Sequence, residues 1–319
     1  MTFRALFLAC VFCTVARAAE TGMGGSILGF IFDPANGVQP IIGLSGAATI
    51  GPPLELGANL TGIVTFAQQN YALANTDADS NFVRIKLTEP ASILPLGLPV
   101  AASRLVAVSP RGSTAAFYDR DRNRILVVRG LPEAAAVASE FDLTGFPEPT
   151  SLAVNDGADM ALIGFSDADL AMGVDGRVLS LGRRATAVRF LAESRDAVIA
   201  DGGTNTVYLA KNLAGSPEFT PLIDGIAEPA AVAVSNDNKK VFVASSLART
   251  VTGIELATGA ITVTSCPCRP STLADLNGNA VFRLTEPSGN PLWVFDGDGP
   301  EARIVFVPAY RPVRESDAQ

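Results

Sequence analysis

The most distinctive chemical feature of the sequence is a pair of cysteines, Cys266 and Cys268, separated by a single proline. The other two cysteines, Cys10 and Cys13, lie in an apolar N-terminal stretch. Residues i and i+2 of a strand point to the same side, so the sulfurs of the pair can approach each other. We predict a disulfide that acts as a local structural clip, and a redox-active or copper-binding dithiol is the alternative.

Acidic residues recur in polar turns, each between the second and third apolar segments of a repeat described below. Carboxylate oxygens that converge on one point would suit calcium. The candidate metal ligands, called rim acids below, are Asp77, Asp119, Asp167, Asp201 and Glu286, with Asp79, Asp121 and Asp169 beside them. Asp is also a standard turn residue that bonds its own backbone. We favour the interpretation that these acids stabilise their own turns, and we expect no cofactor. If the acids do bind a metal ion, we expect calcium.

The sequence contains no histidine. This excludes Ser-His-Asp and Cys-His nucleophiles, zinc held by histidine and a histidine general base. A GxSxG motif with a partner base, a phosphate-binding loop and a dinucleotide fingerprint are also missing from the sequence. We therefore assign no catalytic residues, although chemistry based on carboxylates and a metal stays open.

The N-terminus has the three parts of a secretory signal peptide. Arg4 supplies a positive charge, residues 5–15 are almost entirely apolar, and residues 16–18 place alanines before a cleavage site. The apolar run is too short to span a bilayer. We predict a signal peptide at 1–18, one domain at 19–310 and a flexible tail at 311–319, with the protein periplasmic or secreted.

The net charge and the composition of the chain limit the classes of partner that it could bind. The formal net charge is −8, and loss of the signal peptide removes two arginines and no acid. An acidic protein repels phosphate backbones, so we expect no nucleic acid partner. The uncharged stretch 34–54 contains four prolines, which argues against a membrane-spanning helix. We expect a monomer that binds a protein or a polysaccharide.

A repeat of about 42 residues organises the chain. Each copy has four apolar or β-branched segments bounded by Gly, Asn, Asp or Pro, which predicts strands rather than helices. One apolar position in the first segment of each copy marks the period: Val64, Val106, Leu152, Val188, Val232 and Leu273. The alanine-rich stretch 132–141 is interpreted as a link between strands.

The period favours a propeller over a sandwich, because a blade is one four-stranded sheet that buries its faces only against neighbouring blades. The sequence therefore predicts an all-β propeller of six or seven four-stranded blades. Residues 26–46 resemble the last two strands of another repeat, with a hairpin turn at Asn36-Gly37. We expect this hairpin to pair with the C-terminal strands near 291–307 and close the ring, with the blade count left open.

Residues 230–260, with 149–157 and similar stretches, resemble the YVTN-type and NHL-type propeller repeats of many exported bacterial proteins. The shared features are a Ser-Asn-Asp turn, an apolar second strand and a Thr-Gly turn. The YVTN tetrapeptide is absent, and Val241–Ser246 stands in its place. The resemblance covers about residues 60–308 and implies a fold more than an activity, because propellers host unrelated functions.

Two functions follow from these observations. The leading hypothesis is an exported, non-enzymatic scaffold whose rim binds a protein or an extracellular polymer. The alternative is a calcium-dependent hydrolase similar to the lactonase propellers, whose metal is held by Asp, Glu and Asn without histidine.

Overall fold

The computed structural model describes residues 26–66, 70–76, 82–98, 100, 103, 105–287 and 291–310. Within these ranges the regular secondary structure consists only of β-strands. The 27 strands form seven antiparallel sheets, called blades 1 to 7 in chain order.

Blade 1 contains β1 (Ile27–Asp33), β2 (Gly37–Leu44) and β3 (Ala47–Ile50), and blade 2 contains β4 (Leu60–Val64), β5 (Tyr71–Thr76), β6 (Phe82–Lys86) and β7 (Ser92–Pro95). Blade 3 contains β8 (Val106–Val108), β9 (Thr114–Asp119), β10 (Arg124–Arg129) and β11 (Ala136–Asp142), and blade 4 contains β12 (Pro149–Val154), β13 (Met160–Phe165), β14 (Ala171–Val174) and β15 (Arg177–Ser180). Blade 5 contains β16 (Ala185–Phe190), β17 (Ala197–Asp201), β18 (Thr206–Lys211) and β19 (Glu218–Ile223). Blade 6 contains β20 (Pro229–Val234), β21 (Lys240–Ser245), β22 (Thr250–Glu255) and β23 (Ile261–Ser265), and blade 7 contains β24 (Ala274–Asp275), β25 (Val281–Arg283), β26 (Leu292–Asp296) and β27 (Arg303–Val307).

The predicted propeller is confirmed, and the blade count is seven. Six sheets have four strands in the order of the chain, and blade 1 has three. The N-terminal hairpin supplies the first two strands of blade 1 rather than the last two, because β3 pairs along the free side of β2. The alanine-rich stretch 132–141 is more than a link, since most of it forms β11, the outer strand of blade 3.

The core consists of seven apolar clusters, one at each junction between neighbouring blades. A middle strand such as β13, with all six residues buried, contributes side chains to the clusters on both of its sides. This arrangement explains why the second and third segments of each repeat are continuously apolar instead of alternating. Each blade therefore depends on both neighbours for burial.

Blade 1 and blade 7 close the ring by packing sheet against sheet. The prediction that the N-terminal hairpin meets the C-terminal strands is confirmed, but the two groups form separate hydrogen-bonded sheets. Blade 7 has four strands of its own, so no strand of blade 1 is needed to complete its sheet. Leu28 and Ile41 of blade 1 share one apolar cluster with Leu292 and Val294 of blade 7. Asn277 adds two hydrogen bonds, from its backbone and side-chain nitrogens to the carbonyls of residues 28 and 27 (2.8 and 2.9 Å).

The turns between first and second strands tie neighbouring blades together. The half-buried carboxylate of Asp156, in blade 4, accepts the backbone N–H of Arg111 in blade 3 (2.8 Å) and of Glu193 in blade 5 (2.7 Å). Asn238, in blade 6, exchanges two hydrogen bonds with the backbone of Ala192 in blade 5, both 2.9 Å long. These turns hold the blades in register around the ring.

Candidate functional site

Asp201 is the most buried of the described rim acids, and its carboxylate serves its own turn. It ends β17 and is only 3% exposed. Its Oδ1 atom accepts the backbone N–H groups of Gly203 (2.9 Å) and Thr204 (3.1 Å), while Arg183 approaches Oδ2 at 4.0 Å. The side chain is thus used to cap the loop between β17 and β18.

Asp119, at the end of β9, is held by two arginines from the following turn and strand. Its Oδ2 lies 3.2 Å from both Arg122 and Arg124, and its Oδ1 accepts the backbone N–H of Arg122. Burial acts to raise the pKa of Asp119, but these hydrogen bonds outweigh it and the pKa lies below its ordinary value. The carboxylate is ionised and already neutralised by its neighbours.

The other described rim acids point into solvent. Asp121, Asp167 and Asp169 are exposed, and Glu286 lies 2.5 Å from the Arg283 guanidinium. Asp77 and Asp79 lie outside the described residues. Among the residues that the structure describes, no three acids, cysteines or histidines gather into a group that could hold a metal. The calcium site stays a prediction, and turn capping accounts for Asp119 and Asp201.

The central channel contains an ion pair between blades that are not neighbours. Arg189 of β16 places Nη2 2.5 Å from Oδ2 of Asp275 in β24, so the pair reaches from blade 5 to blade 7. Asp275 is 7% exposed, and the arginine side chain is 23% exposed. A cavity of about 220 Å³ lies here, lined largely by the first strands of five blades. The two charged residues that line this cavity, Arg189 and Asp275, are therefore paired with each other.

A larger cavity, called the cleft below, lies on the outer side of the ring, between blades 6 and 7. It has a volume of about 430 Å³. Phe242 and Phe295 line it, with ring centroids 5.2 Å apart in an edge-to-face arrangement. Gly253 and Gly297 keep the space open, because a Cβ at either position would lie only 3.2–3.3 Å from the Phe242 ring. Phe242 and Phe295 are only 2% and 1% exposed, so the rings are packed behind the surface of the cleft, and the cleft volume is what leaves room for a ligand side chain.

Large apolar side chains are exposed on blades 6, 7 and 1. The described chain exposes seven of them, and five belong to blades 6, 7 and 1: Leu44, Leu247, Ile261, Val263 and Phe306. Those of Ile261 and Val263 lie opposite Ile254 and Thr252, on the face of blade 6 that is turned away from the cleft. The outer strands of these three blades, β23, β27 and β3, are successive neighbours in the ring. The sector formed by blades 6, 7 and 1, called the apolar sector below, therefore concentrates exposed apolar side chains on three successive blades.

The cysteine pair lies directly after β23, at the edge of the same sector. The structure places the two sulfur atoms 1.94 Å apart, with the Cα atoms 5.0 Å apart. Both residues are more than 90% buried and join the apolar cluster between blades 6 and 7. The position fits the predicted structural clip, because the pair fixes the link that follows the outer strand of blade 6.

The sequence analysis missed the apolar sector. Ile261 and Val263 were interpreted only as part of a strand, because the repeat makes every such segment apolar. The available signal was a comparison between the fourth strands, since residues 261–265 carry neither charge nor proline while most equivalent strands carry at least one. Within the described residues, the structure also contains no helix long and apolar enough to cross a membrane.

Comparisons with known proteins bear on the fold. No protein-family model and no curated protein matches the sequence. Among solved structures, a functionally unknown protein from Desulfotomaculum acetoxidans DSM 771 aligns with a TM-score of 0.59 and 14% identity, covering 89% of this chain and 99% of that one. The WD40 repeats of RRP9 align with 0.56 and 15%, covering 79% and 81%. A streptogramin B lyase aligns with 0.54 and 16%, covering 79% and 84%.

These likenesses and the seven-sheet ring define the chain as a seven-bladed β-propeller. At such low identity the likeness shows the fold alone, and the similar structures are of different kinds, including WD40 repeats and a lyase. The function has to be argued from the chain's own surface.

Proposed function

We propose that this propeller is an exported, non-enzymatic scaffold that binds a partner protein through its apolar sector. The observation that carries the proposal is the concentration of exposed apolar side chains on blades 6, 7 and 1, of which blades 6 and 7 form the walls of the cleft. Soluble monomers rarely expose contiguous apolar surface, and where they do it usually marks an interaction site. A cleft between two blades and exposed apolar side chains on the same blades together provide what a protein interface needs at its centre.

The charge distribution of the cleft supports selective binding. Lys240, Glu255 and Glu301 line it together with the apolar residues. Such polar margins around an apolar centre orient a partner and exclude wrong ones. The N-terminal pattern supports export, and the similarity to WD40 repeats is in keeping with an interaction role.

Site-directed photo-cross-linking tests this proposal. A benzophenone amino acid replaces Val263, 60% exposed in the apolar sector, and in a matched control it replaces Leu179, 47% exposed on the outer strand of blade 4. Both variants are expressed in the native bacterium and irradiated. We expect one discrete protein adduct at position 263 and none at position 179.

Three results would contradict the proposal. Equal adducts at both positions would indicate non-specific stickiness. An adduct that glycosidases remove and proteases do not would replace the protein partner by a polysaccharide. Turnover of lactones or sugar esters by the purified protein with calcium would favour the hydrolase.

Melting with excess calcium and then with EDTA tests the hydrolase independently. A specific site occupied far above its dissociation constant stabilises a fold by a few kcal/mol. If the protein is a scaffold without a calcium site, we expect the melting temperatures with calcium and with EDTA to agree within about 1 °C. A rise of several degrees with calcium would restore the rim acids as metal ligands.

A further inference from the structure

We infer that β23 is the docking strand of the apolar sector, and that its ligand is an extended segment of a partner protein which adds to blade 6 as a fifth strand. This inference rests on the proposed scaffold function and names both the binding mode and the chemistry of the ligand. Strand addition of this kind uses backbone hydrogen bonds for affinity and pockets beside the strand for specificity.

The register of β23 shows which backbone groups face outward. The backbone N–H of Glu255 donates to the carbonyl of Ala260 (2.9 Å), and that of Cys266 donates to the carbonyl of Arg249 (2.7 Å). In an antiparallel pair, residues alternate between bonding the partner strand and pointing away from it. Even-numbered residues of β23 therefore bond β22. The groups that point to the free edge belong to Ile261, Val263 and Ser265.

This edge lacks the protection that the other outer strands carry. Natural sheets blunt their edges with charge, proline, bulges or very short strands. In the described chain β7 contains Pro95, β15 and β27 begin with arginine, and β3 has only four residues. Both β11 and β19 contain glutamate and a bulge. Strand β23, with sequence ITVTS and a regular ladder, has none of these devices.

The cleft beside β23 indicates which side chain the added strand carries. Cross-strand partners share a sheet face, so Thr262, opposite Gly253, faces the cleft with Phe242. A residue opposite Thr262 on an added strand would point to the same side. The volume of about 430 Å³ leaves room for a large apolar side chain there, with the buried rings of Phe242 and Phe295 packed behind the cleft surface.

Charge and size both favour another protein over a second copy of this chain. Glu301 is exposed on the margin of the cleft and has no ion-pair partner among the described residues, so a basic side chain of the ligand would complement it. Two copies of a chain with net charge −8 repel each other. A second β23, paired in antiparallel fashion, would offer threonines to the cleft. The ligand is therefore an extended segment with a large apolar residue and a nearby Lys or Arg.

Peptide selection on the purified mature protein tests the inference. A display library of random twelve-residue peptides is selected on the wild-type protein, and the enriched peptides are measured by fluorescence anisotropy. Val263→Pro removes one outward N–H without breaking the ladder to β22, which an edge strand tolerates. Val263→Thr is the matched control, because it keeps the N–H and the β-branched shape. Unchanged circular dichroism and melting temperature confirm that both variants fold.

The expected result is at least a tenfold weaker affinity for Val263→Pro and a change below about threefold for Val263→Thr. The enriched peptides should carry a large apolar residue and a Lys or Arg, and Glu301→Lys should weaken them. Modified peptides give a second readout that does not depend on the folding of a variant protein. In an added strand, every second residue of the peptide bonds β23. N-methylation of those peptide residues should abolish binding, and N-methylation of the residues between them should be tolerated.

Several results would overturn the inference. These are no enriched peptide, peptides indifferent to Val263→Pro, or sensitivity to N-methylation at every position. A concentration-dependent dimer that Val263→Pro dissolves would identify a second copy as the occupant instead. The first three results leave the scaffold function standing if the cross-link at position 263 is found, so the two failures are distinguishable.

Discussion

Replacing Arg189 with methionine removes one half of the ion pair in the central channel. Methionine keeps a long apolar stem and loses the guanidinium that lies 2.5 Å from Asp275. Removing one partner of a buried pair typically costs 3–5 kcal/mol. The arginine is 23% exposed, so water compensates part of the loss. We expect about 2–3 kcal/mol, which for a chain of this length lowers the melting temperature by roughly 4–6 °C.

A double-mutant cycle separates the ion pair from other effects of the substitution. Arg189→Met, Asp275→Asn and the double variant are compared by urea unfolding, followed by circular dichroism. Because the two side chains are in direct contact, we expect a coupling energy of about 1–2 kcal/mol. The reasoning is refuted if the single losses add to within about 0.5 kcal/mol of the double loss, or if Arg189→Met loses less than about 1 kcal/mol.

Three further predictions concern pH, a turn glycine and the cysteines. Burial acts to raise the pKa of Asp237, but hydrogen bonds from the Ser235 hydroxyl and the Lys239 backbone outweigh it and lower the pKa from 3.8 to about 2. The ionised Asp237 carboxylate therefore stabilises the fold above pH 3.8, and this contribution is lost as the pH falls towards 2. In the Asp237→Asn variant, the free energy of unfolding measured with urea should change less between pH 3.8 and pH 2 than in the wild type. Gly112→Ala should lower the free energy of unfolding by about 2–4 kcal/mol in the same assay, because φ is +76° and a Cβ would lie 2.1 Å from a buried aromatic ring. Gly57→Ala is the control: its φ is also positive but no atom of the described residues lies near the added Cβ, so the loss should be only about 1 kcal/mol. Native mature protein should take up no iodoacetamide and should gain two labels only after reduction in urea, and labelling without reductant would contradict the disulfide.

The propeller was predictable from sequence because its main determinant is periodic. An apolar position recurs from Val64 to Leu273 at intervals of 36–46 residues, and most strands follow the predicted segments. In blade 4 the segment at Val178, predicted as the third strand, is the fourth strand β15. The hairpin at residues 27–44 was also predictable, since its turn depends on local chemistry. The positive φ of Gly37 is one that glycine adopts readily.

Features that depend on distant contacts were not predictable. The role of Asp156, which bridges backbone groups of blades 3 and 5, needs the geometry of the ring. The same holds for the pairing of Arg189 with Asp275, which are 86 residues apart. Asp119 and Asp201 had the right chemistry for a metal, but local arginines and turn amides satisfy them, and a sequence does not show that competition.

Amide hydrogen exchange on the cross-linked complex tests the central claim most directly. In the free protein, the outward N–H groups of Ile261, Val263 and Ser265 have no strand beside them and should exchange fast. An added fifth strand should protect these amides in the complex and leave the turns after β9 and β17 unchanged. Protection of those turns, with 261–265 still exchanging fast, would place the partner at the channel mouth and contradict the account.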